Sequence, residues 1–196
     1  MTIQEIAERL LNGETMIYPT DTILGLGCNA LDDKAIAKIY SIKNRPESKS
    51  LILLVDSPAR LQSIVDVPEL TWDLIDLNEK PLTIIYDDPR GLPKSLVSKD
   101  NTIGIRLTKD PFCCQIIQRI KAPLVSTSVN ISSQKAAQSY ADISPAILEK
   151  VDFVVDEAKT FLPKSEPSTI IQLTKDLQVK VCLLYTSPSP RDATLS

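Results

Sequence analysis

At 196 residues and 43% hydrophobic, the chain has enough apolar material for one substantial core, and two domains would be cramped. A formal net charge of −3 gives no overall electrostatic footprint for wrapping nucleic acid, so any RNA contact must use a local patch. Histidine is absent, which excludes histidine-dependent triads, histidine general bases and histidine-ligated metals.

Taken in chain order, Thr2 followed by Glu5 matches a capping box, and Ile3, Ile6, Ala7, Leu10 and Leu11 recur at helical spacing up to about Gly13. Residues 15–18 predict a short strand halted by Pro19, after which the polar turn Thr20-Asp21-Thr22 leads into Gly25-Leu26-Gly27. Asp32 and Asp33 can cap a second helix whose Ile36, Ile39, Tyr40 and Ile42 share a face. That helix delivers Lys43, Asn44 and Arg45 just ahead of Pro46, which disfavours its continuation. The uniformly apolar run 51–55 predicts a buried strand, followed by helices over about 59–65 and 69–77. Further strands are predicted at 82–86, 103–107, 124–126, 153–155 and 169–173, with helices at about 111–120 and 145–150 and a strand-like stretch at 178–181. Strands interspersed with helices point to a single-domain α/β sheet with helical cover. From Cys182 to Ser196 the periodicity stops, and this stretch is set aside as an artefactual or disordered tail. None of the four cysteines lies in a C-x-x-C pair, so they read as reduced thiols. With no signal-peptide pattern and no run near the roughly 20 apolar residues of a membrane span, a soluble, cytoplasmic protein is expected.

Four clusters in this frame can carry chemistry. In Tyr18-Pro19-Thr20-Asp21-Thr22, two hydroxyls and a carboxylate fall within three residues, ahead of two glycines that permit close backbone approach. Such a group can hold an amino acid; the same residues also suit an ordinary hydrogen-bonded turn. It is not a phosphate-binding P-loop, whose lysine and following hydroxyl are missing. Lys43, Arg45 and Lys49 place three cations within seven residues after a helix. They can neutralise a triphosphate as pyrophosphate leaves, or simply complement the helix dipole. The hydroxyl-rich run Ser126-Thr127-Ser128-Val129-Asn130 follows a strand, a position that suits a nucleotide or carboxylate ligand but also an ordinary Ser/Thr loop. Strand alternation puts Thr102, Gly104 and Arg106 on one face, with Arg106 either a ligand or an edge charge.

In order and spacing, these motifs together resemble the YrdC/YciO family. The resemblance rests on Pro19-Thr20-Asp21-Thr22 with Gly25-x-Gly27, Lys43-x-Arg45, the strand bearing Arg106, Ser128-x-Asn130 and Pro167-Ser168-Thr169, and it covers about residues 2–181. It implies a twisted, mainly parallel or mixed sheet around a large positively charged cavity. It also implies threonylcarbamoyl-adenylate synthase activity: L-threonine, bicarbonate and ATP give threonylcarbamoyl-AMP and pyrophosphate. A threonylcarbamoyl-transferase complex would then modify the adenosine beside the tRNA anticodon. By the same resemblance, Thr22 and Arg106 hold threonine; Lys43, Arg45 and Lys49 grip the phosphates, with Lys43 and Arg45 catalytic; Thr102, Ser126, Ser128, Asn130 and Ser168 line the nucleotide side. Mg²⁺ is expected with the ATP and no dedicated metal site in the protein.

Two departures from the family pattern stand out. Many relatives carry a histidine on the strand after Lys-x-Arg, where this chain has Leu54 in an apolar run, and a closing arginine where it has Cys182-Leu183-Leu184. The alternatives are a YciO-like nucleotide-binding paralogue with another substrate, and an RNA-binding module. The net charge and the 5% aromatic content argue against the latter.

Overall fold

The computed structural model describes residues 1–44, 51–132, 134–163, 168–173 and 179–183. Arg45, Lys49, Pro167 and residues 184–196 lie outside the described residues; Cys182 and Leu183, set aside with the tail from sequence, instead end the last strand. Helix α1 (Ile3–Leu11) starts where Thr2 Oγ1 accepts from the Glu5 N–H at 3.2 Å and the Glu5 carboxylate accepts from the Thr2 N–H at 2.7 Å, the reciprocal box its sequence predicts. Helix α2 (Asp33–Ile42) starts at Asp32, whose carboxylate accepts from the N–H groups of Lys34 and Ala35. The predicted helices also form as α3 (Pro58–Ile64), α4 (Glu69–Leu77), α5 (Pro111–Ile120) and the short α6 (Pro145–Leu148). A further short helix, α7 (Asp156–Lys159), has no signal in the sequence periodicity.

Nine strands are found among the described residues: β1 (Met16–Tyr18), β2 (Gly25–Gly27), β3 (Ile52–Val55), β4 (Leu82–Asp87), β5 (Thr102–Leu107), β6 (Leu124–Ser128), β7 (Phe153–Val154), β8 (Thr169–Leu173) and β9 (Val179–Leu183). They form one sheet in the order β7-β1-β2-β6-β3-β5-β4-β8-β9. The sheet is mixed. Pairs β1–β7, β3–β5 and β4–β8 are parallel, and the other five pairs are antiparallel, so antiparallel pairing predominates over the parallel share that the family resemblance implies. The Gly25-Leu26-Gly27 stretch, to which the sequence assigns no element, forms strand β2. A Cβ on Gly27 would lie 2.2 Å from the Val125 carbonyl oxygen of neighbouring β6, and one on Gly25 would lie 2.9 Å from the Tyr18 ring. Only glycine lets β2 lie this close to both neighbours.

The two faces of the sheet have different covers. Leu26, Leu53, Val55, Ile84, Ile105 and Val125 point to one side and pack with Ile36 and Ile39 of α2 and Leu61 and Ile64 of α3. On the other side Met16, Tyr18, Leu54 and Leu124 pack with Ile6 and Leu10 of α1 and with Cys113, Ile116 and Ile117 of α5. Each fully buried Leu or Ile contributes about 1.5–3 kcal/mol, so both layers hold the sheet. Helices α1 and α5 cover only part of their face. Ile52 pairs with Ser126 and Gly104, one alternation step from Leu54, and here the sheet is open to a cavity. No helix among the described residues is long and apolar enough to cross a membrane.

Candidate functional site

The cavity has a volume of about 600 Å³, within the 300–1,000 Å³ typical of small-ligand sites. Its floor is the uncovered sheet face, with Gly25, Ile52, Arg106, Ser126, Ser128 and Ile170 from five strands. Thr20, Thr22, Ile23 and Leu24, from the turn between β1 and β2, form one wall, and Gln134, Lys135, Ala136 and Gln138 form another.

The turn is shaped by its own hydroxyls. Thr20 Oγ1 donates to the Ile23 carbonyl at 2.7 Å, accepts from the Thr22 N–H at 3.0 Å and lies 2.9 Å from Thr22 Oγ1. This sets Thr22 against Arg106, whose Nη1 donates to Thr22 Oγ1 at 3.4 Å. Arg106 is 3% exposed, and its Nη2 is 3.0 Å from Asp21 Oδ1. Its Nε is buried and has no protein partner. A buried N–H with no acceptor costs about 1–3 kcal/mol, so this end of the cavity is built to receive an acceptor. Beneath it, Tyr18 and Cys113 are fully buried, and burial pushes both the phenol and the thiol well above their ordinary values, so both remain protonated.

At the other end, Lys43 leaves the C-terminus of α2 and is 1% exposed. Its ammonium donates to the Ser128 carbonyl, and at 2.9 Å to both the Asn130 carbonyl and Asn130 Oδ1. The Lys43 carbonyl in turn accepts from the Ser132 N–H at 2.9 Å. Ser128 Oγ donates to Asn130 Oδ1, and Asn130 Nδ2 donates to the Gln134 carbonyl at 2.6 Å. Ser128, Asn130, Ser132 and Gln134 are thus tied to the end of α2 or to each other, which presents Ser128 and Asn130 to the cavity. Ser168, also on the cavity surface, shares a 2.8 Å hydroxyl contact with Thr83.

Among the residues singled out from sequence, Thr22, Arg106, Ser126, Ser128, Asn130 and Ser168 thus come together around one cavity. Lys43 lies behind that surface, supporting it. Thr102 sits at the opposite end of β5 from Arg106, about 13 Å along the strand, with its hydroxyl 2.7 Å from Ser98 Oγ. The sequence reading did not find the apolar lining of Ile23, Leu24, Leu51, Ile52 and Ile170, nor the segment bearing Gln134, Lys135 and Gln138. The first group is indistinguishable from core in sequence; the second lies in a stretch without periodicity. Lys135 is, with Arg106, one of two cationic side chains among the described lining residues.

The chain can be compared with known proteins. Residues 8–183 match the Sua5/YciO/YrdC family model, described as "Telomere recombination". A protein of Pseudoalteromonas translucida named threonylcarbamoyl-AMP synthase is 32% identical over 173 residues, covering 86% of this chain and 91% of that one. P. abyssi Sua5 complexed with L-threonine superimposes with a TM-score of 0.77 at 26% identity over 88% of this chain, which spans about half (51%) of that structure's length. E. coli YciO superimposes with a TM-score of 0.80 at 24% identity, over 92% of this chain and 87% of that one, and so shares the fold.

Proposed function

The chain belongs to the Sua5/YciO/YrdC family, and we propose that it is a threonylcarbamoyl-AMP synthase, a nucleotidyltransferase that converts L-threonine, bicarbonate and ATP into threonylcarbamoyl-AMP and pyrophosphate. The observation that carries this reading is the single cavity with a buried guanidinium at one end and the tied Ser128-Asn130 loop at the other. One end suits a carboxylate and the other a nucleotide, as joining an amino acid to an adenylate requires. Relatives named threonylcarbamoyl-AMP synthase, and a fold neighbour complexed with L-threonine, support the choice of substrates.

In this reading Arg106 and Thr22 hold the threonine, and Ser126, Ser128, Asn130 and Ser168 line the nucleotide's path. Arg45 and Lys49 meet the phosphates, while Lys43 holds the Ser128-Asn130 loop and neutralises charge from behind it. The chemistry asks for alignment of a carbamate oxygen with the α-phosphorus and for neutralisation as pyrophosphate departs; both are supplied by position and fixed charge. A chain without histidine can therefore run it. In this reading Mg²⁺ would accompany the ATP and supply further charge neutralisation on its phosphates. The product would pass in the cytoplasm to a threonylcarbamoyl-transferase complex acting on tRNA.

The test supplies ATP and bicarbonate with and without L-threonine and measures pyrophosphate together with threonylcarbamoyl-AMP. Both are expected only with threonine present, and Arg45→Ala suppresses them. Equal pyrophosphate release without threonine would sink the assignment and favour a YciO-like protein acting on another substrate.

A further inference from the structure

Of the two cations among the described lining residues, Arg106 is buried and its Nη2 lies 3.0 Å from an internal carboxylate, Asp21 Oδ1. Lys135 is the other, and it differs in both respects. It is exposed, and among the described residues no carboxylate pairs with its ammonium. Its main chain is nonetheless fixed on both sides. Before it, the Gln134 N–H donates to the Ile131 carbonyl at 3.0 Å, and the Gln134 carbonyl accepts from Asn130 Nδ2 at 2.6 Å. After it, the Ala137 N–H donates to the Val129 carbonyl at 3.1 Å, and Ala137 is buried. A compact charge on a flexible four-carbon stem therefore stands on a held loop, beside the Asn130 that faces the cavity.

The direction of the reaction says what that charge meets. A carbamate oxygen forms a bond to the α-phosphorus of ATP. The bond from that phosphorus to the oxygen bridging to the β-phosphate breaks, and the bridging oxygen keeps the electron pair as pyrophosphate leaves. Attacking and leaving oxygens lie roughly in line across the phosphorus. With the amino acid at the Arg106 end, the leaving group points away from Arg106, toward the end where Ser128, Asn130 and Lys135 lie. Negative charge builds on the bridging oxygen as its bond breaks, so a cation at that end stabilises the departure.

We propose that Lys135 is a further phosphate-binding residue, which meets the β- and γ-phosphates of ATP from the cavity rim and receives the departing pyrophosphate. Its exposure suits this role, because pyrophosphate has to return to solvent while the adenylate stays inside. This rests on the ATP-dependent reading of the cavity given above, and adds a cation that lies outside the Lys43-x-Arg45 motif.

The test is calorimetric titration of the full chain with ATP and Mg²⁺, and with AMP, which carries the α-phosphate alone. Lys135→Ala and Lys135→Gln are each expected to weaken ATP by about tenfold, the scale of one charge-assisted contact, and to leave AMP within about twofold of wild type. Lys135→Arg keeps the charge and should hold ATP within about threefold of wild type. Equal weakening of ATP and AMP overturns the proposal, leaving Lys135 as a support of the loop. Unchanged ATP binding in the Ala and Gln variants overturns it as well, and so does a Lys135→Arg protein as weak as Lys135→Ala. Failure of the wild type to bind ATP at all overturns the nucleotide reading of the cavity and this inference with it. The expected contrast between ATP and AMP, found without threonine-dependent pyrophosphate release, upholds Lys135 as a phosphate ligand and sinks the synthase reading alone.

Discussion

The Lys43 ammonium and the Asn130 side chain meet at 2.9 Å inside the protein, with the same ammonium donating to the main-chain carbonyls of Ser128 and Asn130. A lysine that sequence marks as a phosphate ligand is thus first a brace for the loop that faces the cavity. Lys43→Met removes those donors and leaves buried acceptors, each costing about 1–3 kcal/mol. The expected outcome is a clear loss of stability in urea unfolding together with weaker nucleotide binding. Ser128→Ala, which deletes one hydroxyl and leaves the brace, should cost only about 1 kcal/mol while still weakening nucleotide binding.

The close approach of β2 to β6 predicts an asymmetry between glycines. Gly27→Ala drives a methyl to 2.2 Å from a backbone oxygen that cannot rotate away. The strands must separate, at a cost of about 3 kcal/mol or more. Gly91 has φ +69° and open space around its Cβ position, so Gly91→Ala meets only conformational strain of about 1 kcal/mol. Denaturation midpoints of the two variants measured side by side check this ordering.

Thiol reactivity should follow burial. Cys28 and Cys113 are fully buried, and burial, aided by the carboxylates of Asp32 and Asp110 respectively, pushes their thiols up. Cys114 is intermediate and Cys182 exposed. Iodoacetamide at pH 8 should label Cys182 first and Cys114 more slowly, with Cys28 and Cys113 modified only after unfolding, as read by mass spectrometry.

Asp152 joins three parts of the chain. One carboxylate oxygen accepts from the Thr15 N–H and hydroxyl, both at 2.7 Å, and the other pairs with the Lys38 ammonium. Burial works against its charge, yet Lys38 and Thr15 outweigh it and hold the carboxyl below its usual range. A depressed folded value means that the contribution is present above the unfolded value of about 4 and is lost as pH falls through the folded one. Asp152→Asn should therefore lower the melting temperature at pH 7, with the gap to wild type closing as pH drops below about 4.

Most elements were legible because their signals are local. The Thr2–Glu5 box, the Asp32 cap and the apolar periods of α2 and α5 each need only a short window of sequence. Strand β2 was hidden because its glycines answer to Val125 and Tyr18, residues remote or across a turn. The pairing of β3 parallel to β5 but antiparallel to β6 is likewise a property of the whole chain. In the site, alternation placed Thr102 and Arg106 on one face but could not say that the cavity reaches only one of them. Residue type also could not decide where the Lys43 ammonium points, since phosphate oxygens and loop carbonyls are both good acceptors for it.

The cavity and the α1–α5 core share one face of one sheet, and on β3 their border runs between Ile52 and Leu54. Leu54 lies beside Arg106 in register and is fully buried. The frontier is therefore movable. A polar residue at position 54 would set a hydrogen-bonding group beside the guanidinium, at the expense of the apolar contacts that Leu54 makes in the α1–α5 core. A single substitution there therefore acts on the cavity surface and on the core together, with no new loop or domain.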